Sequence, residues 1–288
     1  MSINNKMNLP KPLVDWLSND EYDHEEDTIS TTTLLKSVRQ FWLEQRHKDE
    51  LEVDVSDLIA SKFGTAIHNS FELAFDLKSE YTQEVRHYKE IANRKVSGKY
   101  DFILDDTIHD IKTTSVWTYM FDSNKDKYIQ QMSIYRWLIG KDSLKDYGNI
   151  VYVFTDWSKS KSLQDRDYPA FRAIVKSYPL MSFEETEQFV LDKVERINSL
   201  KDVADSDLPY CTKDELWQDD DKFAVYKKAS AKRATKVFNN LNEAQKFQRD
   251  QGCSHIEHRK GGVNACNYCK VTKFCNQYQM LEDQGLIK

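Results

Sequence analysis

Residues 98–114 read GKYDFILDDTIHDIKTT, in which two mainly apolar segments flank an Asp-Asp dipeptide. This pattern predicts a β-hairpin whose two-residue turn lies at 105–106. The register of that hairpin places Asp101 across the ladder from Asp110, where like charges repel each other. Alternation along the second strand puts Lys112 on the same face as Asp110. Because two carboxylates and one amine converge, we expect a cation between the carboxylates.

A divalent cation with oxygen ligands would relieve this repulsion. Mg²⁺ or Mn²⁺ bound by Asp101 and Asp110 would keep positions open for a water and a phosphate oxygen, as phosphodiester hydrolysis requires. Lys112 would orient that water or stabilise the negative charge that develops. On the pattern alone, a surface hairpin whose Asp110 and Lys112 face solvent explains the same residues equally well.

Four further residues supply context for this hairpin. His68, in FGTAIHNSFE, is either a histidine at the boundary of the core or a ligand that would suit Mn²⁺ as well as Mg²⁺. Gln131 and Tyr135 lie one helical turn apart, so they share a face that could hold a DNA backbone or be an ordinary half-exposed surface. Glu84, on the strand before the hairpin, lies near the metal or points outward.

Apolar periodicity divides the chain into helices and strands. Helical spacing is present in four segments: 30–46, 56–77, 126–140 and 182–200. In the second segment the residues expected to be buried are spaced by four: Ile59, Phe63, Ile67, Phe71 and Phe75. Ser182 and Glu185 form a capping box that begins the last helix. Strand patterns lie at 82–88, 96–104, 108–114, 148–156 and 168–180, and the first three predict a meander.

Length and composition indicate one main core and one smaller module. The 288 residues include only 8 Gly and 5 Pro, which is typical of a globular chain rich in helix. We divide the chain into an acidic N-terminal segment (1–29), a core (30–204) and a C-terminal module (205–288). The C-terminal module is expected to contain two short strands and a helix framed by cysteines.

The charge distribution restricts where nucleic acid could bind. A net charge of −6 gives no global basic surface. The segment KKASAKRATK has no acid, and its basic residues form the best local patch for a phosphate backbone: Lys227, Lys228, Lys232, Arg233 and Lys236. A solvated charged face explains this patch almost as well.

The chain shows no signal for export or for a membrane. It has no run of 18 apolar residues, and its first residues, MSINNKMNLPKPLVDW, lack a basic leader. We therefore expect a cytoplasmic protein with no membrane partner. In that reducing compartment the five cysteines, all at or after position 211, favour metal ligation over disulfides.

The C-terminal cysteines have the spacing of a metal centre. Cys266, Cys269 and Cys275 form C-x2-C-x5-C. Zinc is one candidate metal, because His255 and His258 could join Cys266 and Cys269 in a tetrahedral site.

Taken together, the motifs resemble a known family. The order GTAIH, a strand glutamate, GKYDFIL, DIK and QxxxY resembles the RecB-type branch of the PD-(D/E)xK nucleases over about residues 30–200. The resemblance implies an α/β fold with a restriction-endonuclease-like core, a mixed central sheet flanked by helices. It also implies metal ligands: His68, Asp101, Asp110 and the carbonyl of Ile111. In the same comparison Lys112 is the catalytic lysine, and Gln131 and Tyr135 match the helix motif that follows it. Asp110 stands where many relatives have Glu.

The cysteines resemble those of phage-encoded exonucleases and of CRISPR-associated spacer-acquisition nucleases. There, the same spacing supplies three ligands of a 4Fe–4S cluster, which implies a small cysteine-stapled α+β module here. In the CRISPR-associated relatives the fourth ligand usually precedes the nuclease motifs, but this chain has no cysteine before Cys211. Its arrangement resembles that of the phage-encoded nucleases, in which a cysteine after the core helix precedes such an insertion. We expect Cys211 as the fourth ligand, with Cys253 as a possible substitute and Zn²⁺ as the alternative metal.

These expectations lead to a functional hypothesis. The chain is expected to be a Mg²⁺- or Mn²⁺-dependent deoxyribonuclease, an exonuclease rather than an endonuclease, acting in phage DNA recombination or processing and leaving 5′ phosphates. Its partners would be DNA and a helicase or a single-strand annealing protein, and the oligomeric state is left open. The alternative is a catalytically idle nuclease fold that serves as a DNA- or protein-binding adaptor. The intact set of His68, Asp101, Asp110 and Lys112 argues against the adaptor.

Overall fold

The computed structural model describes residues 2–19, 27–75, 82–83 and 85–287. The chain forms two compact units, Met1–Lys36 with Glu52–Lys201 and Ser37–Leu51 with Asp202–Lys288. The second unit therefore includes Ser37–Leu51, which the sequence analysis placed in the core. Most of the acidic run EYDHEED lies outside the described residues.

The described residues form the following α-helices: α1 (Lys11–Ser18), α2 (Thr31–Leu34), α3 (Val38–Arg46), α4 (Ile59–Phe75), α5 (Val116–Met120), α6 (Lys125–Ile139), α7 (Lys159–Gln164), α8 (Phe183–Ser199), α9 (Leu241–Gln251) and α10 (Asn276–Asp283). The helices predicted over 126–140 and 182–200 are confirmed as α6 and α8. The Ser182/Glu185 capping box is present at the start of α8.

The strands of the described residues are as follows: β1 (Ser2–Asn4), β2 (Thr28–Ser30), β3 (Glu52–Asp54), β4 (Thr82–Gln83), β5 (Arg86–Ile91), β6 (Arg94–Lys99), β7 (Phe102–Leu104), β8 (Thr107–Thr114), β9 (Tyr147–Phe154), β10 (Ala173–Pro179), β11 (Lys222–Tyr226), β12 (Lys236–Phe238) and β13 (His255–Arg259). In the first unit they form a five-stranded sheet of order β10-β9-β8-β7-β4, a three-stranded sheet β2-β6-β5 and the pair β1-β3. In the second unit they form the sheet β12-β11-β13.

The five-stranded sheet is mixed, as predicted. β8 is antiparallel to β7 and parallel to β9, and α5 and α6 make the crossover between β8 and β9. Tyr128 and Met132 of α6 pack with Ile150, Tyr152 and other buried residues of the sheet in one apolar core. The α/β fold class expected from the sequence is confirmed.

The hairpin at 102–114 has the predicted turn and register. Leu104 pairs with Thr107. Asp105 and Asp106 have φ of 50° and 55°, the left-handed conformation that a two-residue hairpin turn requires. Aspartate tolerates this conformation better than most residues, since its short side chain can hydrogen-bond locally.

The predicted three-stranded meander is wrong. Segment 96–104 is not one strand but breaks at 100–101, so that β6 and β7 belong to different sheets. Tyr100 is buried at the break beside Ile108 and Tyr135. The carboxylate of Asp101 accepts a hydrogen bond from the Ile111 amide, a bond that a continuous ladder would have made between backbones.

Two helix predictions also need correction. Segment 30–46 is not one helix but α2 and α3, because the Ser37 hydroxyl accepts the Gln40 amide and begins a new helix. In α4 the stripe spaced by four is not fully buried: Phe63 is 53% exposed and Ile59, Ile67 and Phe71 are half-buried, while the side chain of Phe75 lies outside the described part of the chain. A spacing of four identifies residues on one face but not what covers that face.

The second unit contains the two strands and the helix expected after residue 205, as β11, β12 and α9. The additional strand β13 pairs with β11 on the side opposite β12. Among the described residues, no helix is long and apolar enough to cross a membrane.

Gly98 is predicted to be required for packing in the first unit. A Cβ on Gly98 would lie 2.6 Å from Leu138 Cδ1 and 2.8 Å from Tyr135 Cδ1. Gly98→Ala should therefore lower the free energy of unfolding by about 1–3 kcal/mol, measured by urea denaturation. Gly64→Ala is the matched control, because nothing lies within 4 Å of its added Cβ and alanine favours the helix. A Gly98→Ala protein as stable as the wild type would contradict this packing.

Candidate active site

Asp110 and Lys112 lie side by side on β8. Lys112 Nζ is 2.6 Å from Asp110 Oδ2. The Lys112 side chain is 24% exposed and the Asp110 side chain is 3% exposed. β8 is the central strand of the five-stranded sheet, with β7 and β9 on either side. The interpretation of these residues as a solvent-facing surface hairpin is therefore wrong, since the carboxylate is buried.

Asp101 joins these residues from the break between β6 and β7. The ladder between β7 and β8 ends at the pair Phe102–His109. Asp101 therefore lies just outside the ladder and is not paired with Asp110 across it, although the sequence analysis expected that pairing. Its Oδ2 accepts the Ile111 amide at 2.5 Å, and its Oδ1 lies 3.0 Å from Nδ1 of His68 on α4. The structure thus brings His68, Asp101 and the β8 residues into one site.

Burial and charge shift the pKa values at this site. Burial raises the pKa of Asp110 above its usual range, and the charge of Asp101 adds to this shift while Lys112 opposes it. For Lys112, burial lowers the pKa, but the Asp110 carboxylate outweighs burial and the pKa is raised. For His68, burial also lowers the pKa, but the hydrogen bond and charge of Asp101 raise it overall.

The chemistry of this donor set fits a hard divalent cation. Asp110 Oδ2 is buried, and no described residue gives it a well-angled hydrogen bond, although Lys112 Nζ forms a close ion pair with it. Among the described residues, no three His, Cys, Asp or Glu side chains are arranged to hold a metal ion. In this arrangement Lys112 and His68 contact the carboxylates, so a cation would compete with both for the same oxygens.

Gln131 and Tyr135 share a helical face, as predicted, but they bond to each other. Gln131 Nε2 donates to Tyr135 Oη at 2.6 Å, and both residues are buried on α6. Tyr135 also packs against Tyr100 and Ile108. In this arrangement the pair fixes α6 against the sheet, and neither residue presents its polar group to solvent.

Tyr128 is a neighbour of the site that the sequence analysis missed. Lys112 Nζ lies 5.7 Å from the centre of its buried ring. Its hydroxyl accepts a hydrogen bond from Asn124. The available signal was its position on α6, one turn before Gln131. Glu84, the remaining candidate of the core, lies outside the described residues.

The basic patch is exposed on the second unit. All its members are exposed, in the segment between β11 and β12 and at the start of β12: Lys227, Lys228, Lys232, Arg233 and Lys236. Lys236 lies over the rings of Phe238 and Phe247. In the described part of the chain, the other four form no salt bridge.

Burial and neighbouring thiols raise the pKa values of two cysteines, Cys266 and Cys269. Burial raises the pKa of the Cys266 thiol to about 11, and the charges of Cys269, Cys275 and Cys211 add to the shift. Burial likewise raises the pKa of Cys269 to about 11, again with contributions from Cys275 and Cys211. Cys211 and Cys266 pack against the same apolar cluster. These four thiols therefore lie in one neighbourhood.

Cys253 and the two histidines lie in other surroundings. Cys253 is buried in a separate cluster with Val225 and Ala244. His255 stacks on Tyr226 at 4.7 Å, and His258 stacks on Phe223 and pairs with Asp221. These contacts give the mixed Cys/His zinc site no support.

Arg39 is a second residue that sequence reasoning missed. It is 1% exposed, and its Nε donates to Cys275 Sγ at 3.1 Å. Its other nitrogens donate to the Leu208 carbonyl and to Asn276 Oδ1. No carboxylate of the described residues pairs with it. The only sequence signal is a charged residue inside the apolar spacing of α3.

Comparison with known proteins places this geometry in context. Among solved structures the chain is similar to SSO0001, with 20% identity over 65% of this chain and 85% of that one and a TM-score of 0.43. It is also similar to an alkaline exonuclease, LHK-Exo, from Laribacter hongkongensis, with 14% identity over 60% and 89% of the chains and a TM-score of 0.39. A phage-related exonuclease from Haemophilus somnus 129PT shows 12% identity over 48% and 70% and a TM-score of 0.32. No curated protein sequence matches the chain.

The sequence itself matches a family model over most of its length. The model describes the PD-(D/E)XK nuclease superfamily, and the match covers residues 22–276. The match therefore includes α4, β7, β8 and α6, the elements that carry the candidate site. The chain belongs to the PD-(D/E)XK nuclease superfamily.

Proposed function

We propose that the protein is a metal-dependent deoxyribonuclease whose active site consists of His68, Asp101, Asp110 and Lys112. The observation that carries the proposal is the buried Asp110–Lys112 pair on β8, which lies beside the hydrogen-bonded Asp101 and His68. In a member of a nuclease superfamily, two carboxylates and a lysine at one buried position suit phosphodiester hydrolysis.

The metal would be Mg²⁺ or Mn²⁺, as used by nucleases of this superfamily. Asp101, Asp110, His68 and the carbonyl of Ile111 would hold it. A divalent cation at such a site polarises the scissile phosphate and favours ionisation of the attacking water. The raised pKa of Asp110 supports this assignment, because a buried carboxylate gains most from a neighbouring cation.

Side chains of the protein would stabilise the transition state and position the site. The Lys112 ammonium is held by Asp110 and lies against the ring of Tyr128, so its charge is fixed in place. From there it would stabilise the negative charge that develops on the phosphate. Gln131 and Tyr135 are positioning residues in this proposal, because Tyr135 packs α6 against Tyr100 and Ile108 and Gln131 holds the Tyr135 hydroxyl.

The finer assignments follow the family resemblance. We propose an exonuclease that acts in phage DNA recombination or processing, with a helicase or a single-strand annealing protein as partner. Loss of the 3′ oxygen from phosphorus would leave a 5′ phosphate. The exposed patch with Lys227, Lys228 and Arg233 would contact the DNA backbone, supported by its lack of salt bridges to other described residues.

We further propose that Cys211, Cys266, Cys269 and Cys275 bind a 4Fe–4S cluster, with Zn²⁺ as the alternative metal. The proximity of the four thiols supports this. Arg39 supports it independently, because a buried guanidinium without a carboxylate partner needs an anion, and Cys275 Sγ accepts its hydrogen bond. A thiolate ligand would supply that negative charge.

The contrasting function is a catalytically idle adaptor that binds DNA or protein. Purified protein can be incubated with end-labelled linear DNA and with circular single- and double-stranded DNA, with Mg²⁺ or Mn²⁺. A nuclease shortens the labelled strands, and an exonuclease leaves the circles intact. Binding without cleavage of any of these substrates would favour the adaptor.

Asp110→Ala is expected to reduce cleavage by at least about 100-fold, because it removes a carboxylate from the site that holds the cation. DNA affinity, measured separately by anisotropy, should be retained or increased, since repulsion of the phosphate falls. Asp110→Asn keeps the side-chain volume and should be equally inactive, whereas the exposed Asp142→Ala should be fully active. Wild-type cleavage by the purified Asp110→Ala protein would rule out the assignment.

Lys112→Ala should separate metal binding from chemistry. Because the ammonium contacts the Asp110 carboxylate that would bind the cation, its removal should leave Mn²⁺ affinity equal or tighter in a calorimetric titration. Cleavage should fall about 100-fold, as for loss of one charged donor to a transition state. A loss of Mn²⁺ binding as large as that in Asp110→Ala would contradict this division of roles.

The cysteine assignment predicts a difference between Cys211 and Cys253. Protein prepared anaerobically should be brown, with broad absorbance near 400 nm that Cys211→Ser abolishes. Cys253→Ser should keep the colour, because Cys253 lies in another cluster. Bleaching by Cys253→Ser would show that the fourth ligand is misassigned. Stoichiometric zinc with no iron or sulfide in anaerobic, iron-supplied protein would disprove the cluster and leave the nuclease proposal standing.

A further inference from the structure

Two aromatic side chains lie exposed together on the first unit. Trp117, on α5, is 49% exposed, and Phe121, one turn later, is 71% exposed. Their rings are stacked, with centroids 5.7 Å apart and an angle of 13° between the planes. A stacked pair of rings left in solvent forgoes the stabilisation that burial of apolar surface provides.

This aromatic pair lies close to the candidate active site along the chain, and α5 is hydrogen-bonded to the strand that carries Asp110 and Lys112. Alternation puts Thr114 on the same face of β8 as Asp110 and Lys112, about 7 Å beyond Lys112. The Thr114 hydroxyl donates to Thr118 Oγ1 at 3.0 Å, and Thr118 follows Trp117 on α5. The helix therefore begins where the catalytic face of β8 ends.

The helix that carries the pair is held firmly. The Val116 amide donates to Asp156 Oδ1 at 2.7 Å, and Val116 is buried. Tyr119 packs edge to face against Tyr152, with centroids 5.2 Å apart. Tyr152 in turn packs against Tyr128, the residue beneath Lys112. The exposed rings are thus presented on a fixed support, so ordering them on binding costs little.

We propose that Trp117 and Phe121 form a stacking platform for an unpaired base of the DNA strand that occupies the active site. The inference rests on the proposed deoxyribonuclease function and assigns its substrate a single-stranded segment at this point. Bases within a duplex already stack on both faces, whereas an unpaired base can place its free face on an aromatic ring. The exposed Lys125, four residues after Phe121, is available for the adjoining phosphate.

Stacking accounts for the composition of this surface. The two stacked side chains are both aromatic, and the exposed residues that follow them are Ser123, Lys125, Asp126 and Lys127, of which two are basic and one is acidic. A platform of rings with a cation at its edge suits a nucleic acid strand, whose bases supply π faces and whose backbone supplies negative charge.

The test compares two oligonucleotides that differ only in their bases. Fluorescence anisotropy in EDTA, where no metal-dependent cleavage occurs, measures binding of labelled oligothymidylate and of an abasic strand of equal length. Trp117→Ala/Phe121→Ala should weaken oligothymidylate binding about 5- to 100-fold, the range expected for loss of base stacking, and leave abasic binding unchanged. Trp117→Phe should retain most of the affinity for oligothymidylate.

Phe171→Ala is the matched control, because Phe171 is also 71% exposed and lies outside α5. It should bind both strands as the wild type does. Unchanged oligothymidylate affinity in the double variant, or an equal loss for the abasic strand, would overturn the proposal.

A second measurement uses the wild-type protein and is independent of folding in the variants. Strands that carry 5-iodouracil should form photo-crosslinks to the peptide containing Trp117 and Phe121, whereas crosslinks confined to other peptides would contradict the platform. Failure of the proposed function has a different signature, since wild-type protein would then cleave no DNA with Mg²⁺ or Mn²⁺, whatever the EDTA binding shows.

Discussion

The pairing of β7 with β8 determines the chemistry of the first unit. Because Asp105 and Asp106 both adopt positive φ, the turn has two residues and Leu104 pairs with Thr107. Side chains alternate along a strand, so a slip of one residue would turn Asp110 and Lys112 to the opposite face. The same register brings the Ile111 amide to the Asp101 carboxylate. A turn of two residues thus decides whether the acids and the lysine can meet.

The site so formed carries an electrostatic cost. Asp110 is 3% exposed, and burial raises its pKa, so its ionised form is disfavoured unless positive charge lies nearby. Lys112 supplies that charge, with its Nζ 2.6 Å from Asp110 Oδ2, but the angle of this contact is poor for a hydrogen bond and no other described residue donates to that oxygen. Incomplete compensation of a buried charge is common where function requires a bound ion. It makes the arrangement suited to a cation rather than to stability.

The sequence correctly predicted the turns, helices and caps that depend on residues close together in the chain. The hairpin turn, α6 and the capping box of α8 each depend on residues a few positions apart. The break at 100–101 depends instead on Asp101 bonding to Ile111, ten positions along the chain.

Likewise, the candidate acids and lysine were found from alternation along one hairpin, whereas Arg39 was missed because its partner Cys275 lies 236 residues away. Periodicity also marked one face of α4 without revealing that Phe63 is exposed, since burial depends on what packs against a helix.

Each unit contains a buried charged side chain, and the two charges have opposite signs. In the first unit the charge is the Asp110 carboxylate, which forms an ion pair with Lys112. In the second unit it is the Arg39 guanidinium, which cannot lose its proton and whose nitrogens contact a carbonyl, an amide oxygen and a thiol. A neutral thiol offsets little of the free-energy cost of burying the guanidinium, whereas a thiolate stabilises the buried guanidinium strongly. Burial raises the pKa of the Cys266 and Cys269 thiols, and the metal proposed above would keep them ionised. The proposed nuclease site would thus take a hard divalent cation at carboxylates, and the proposed cysteine site a soft one at sulfur.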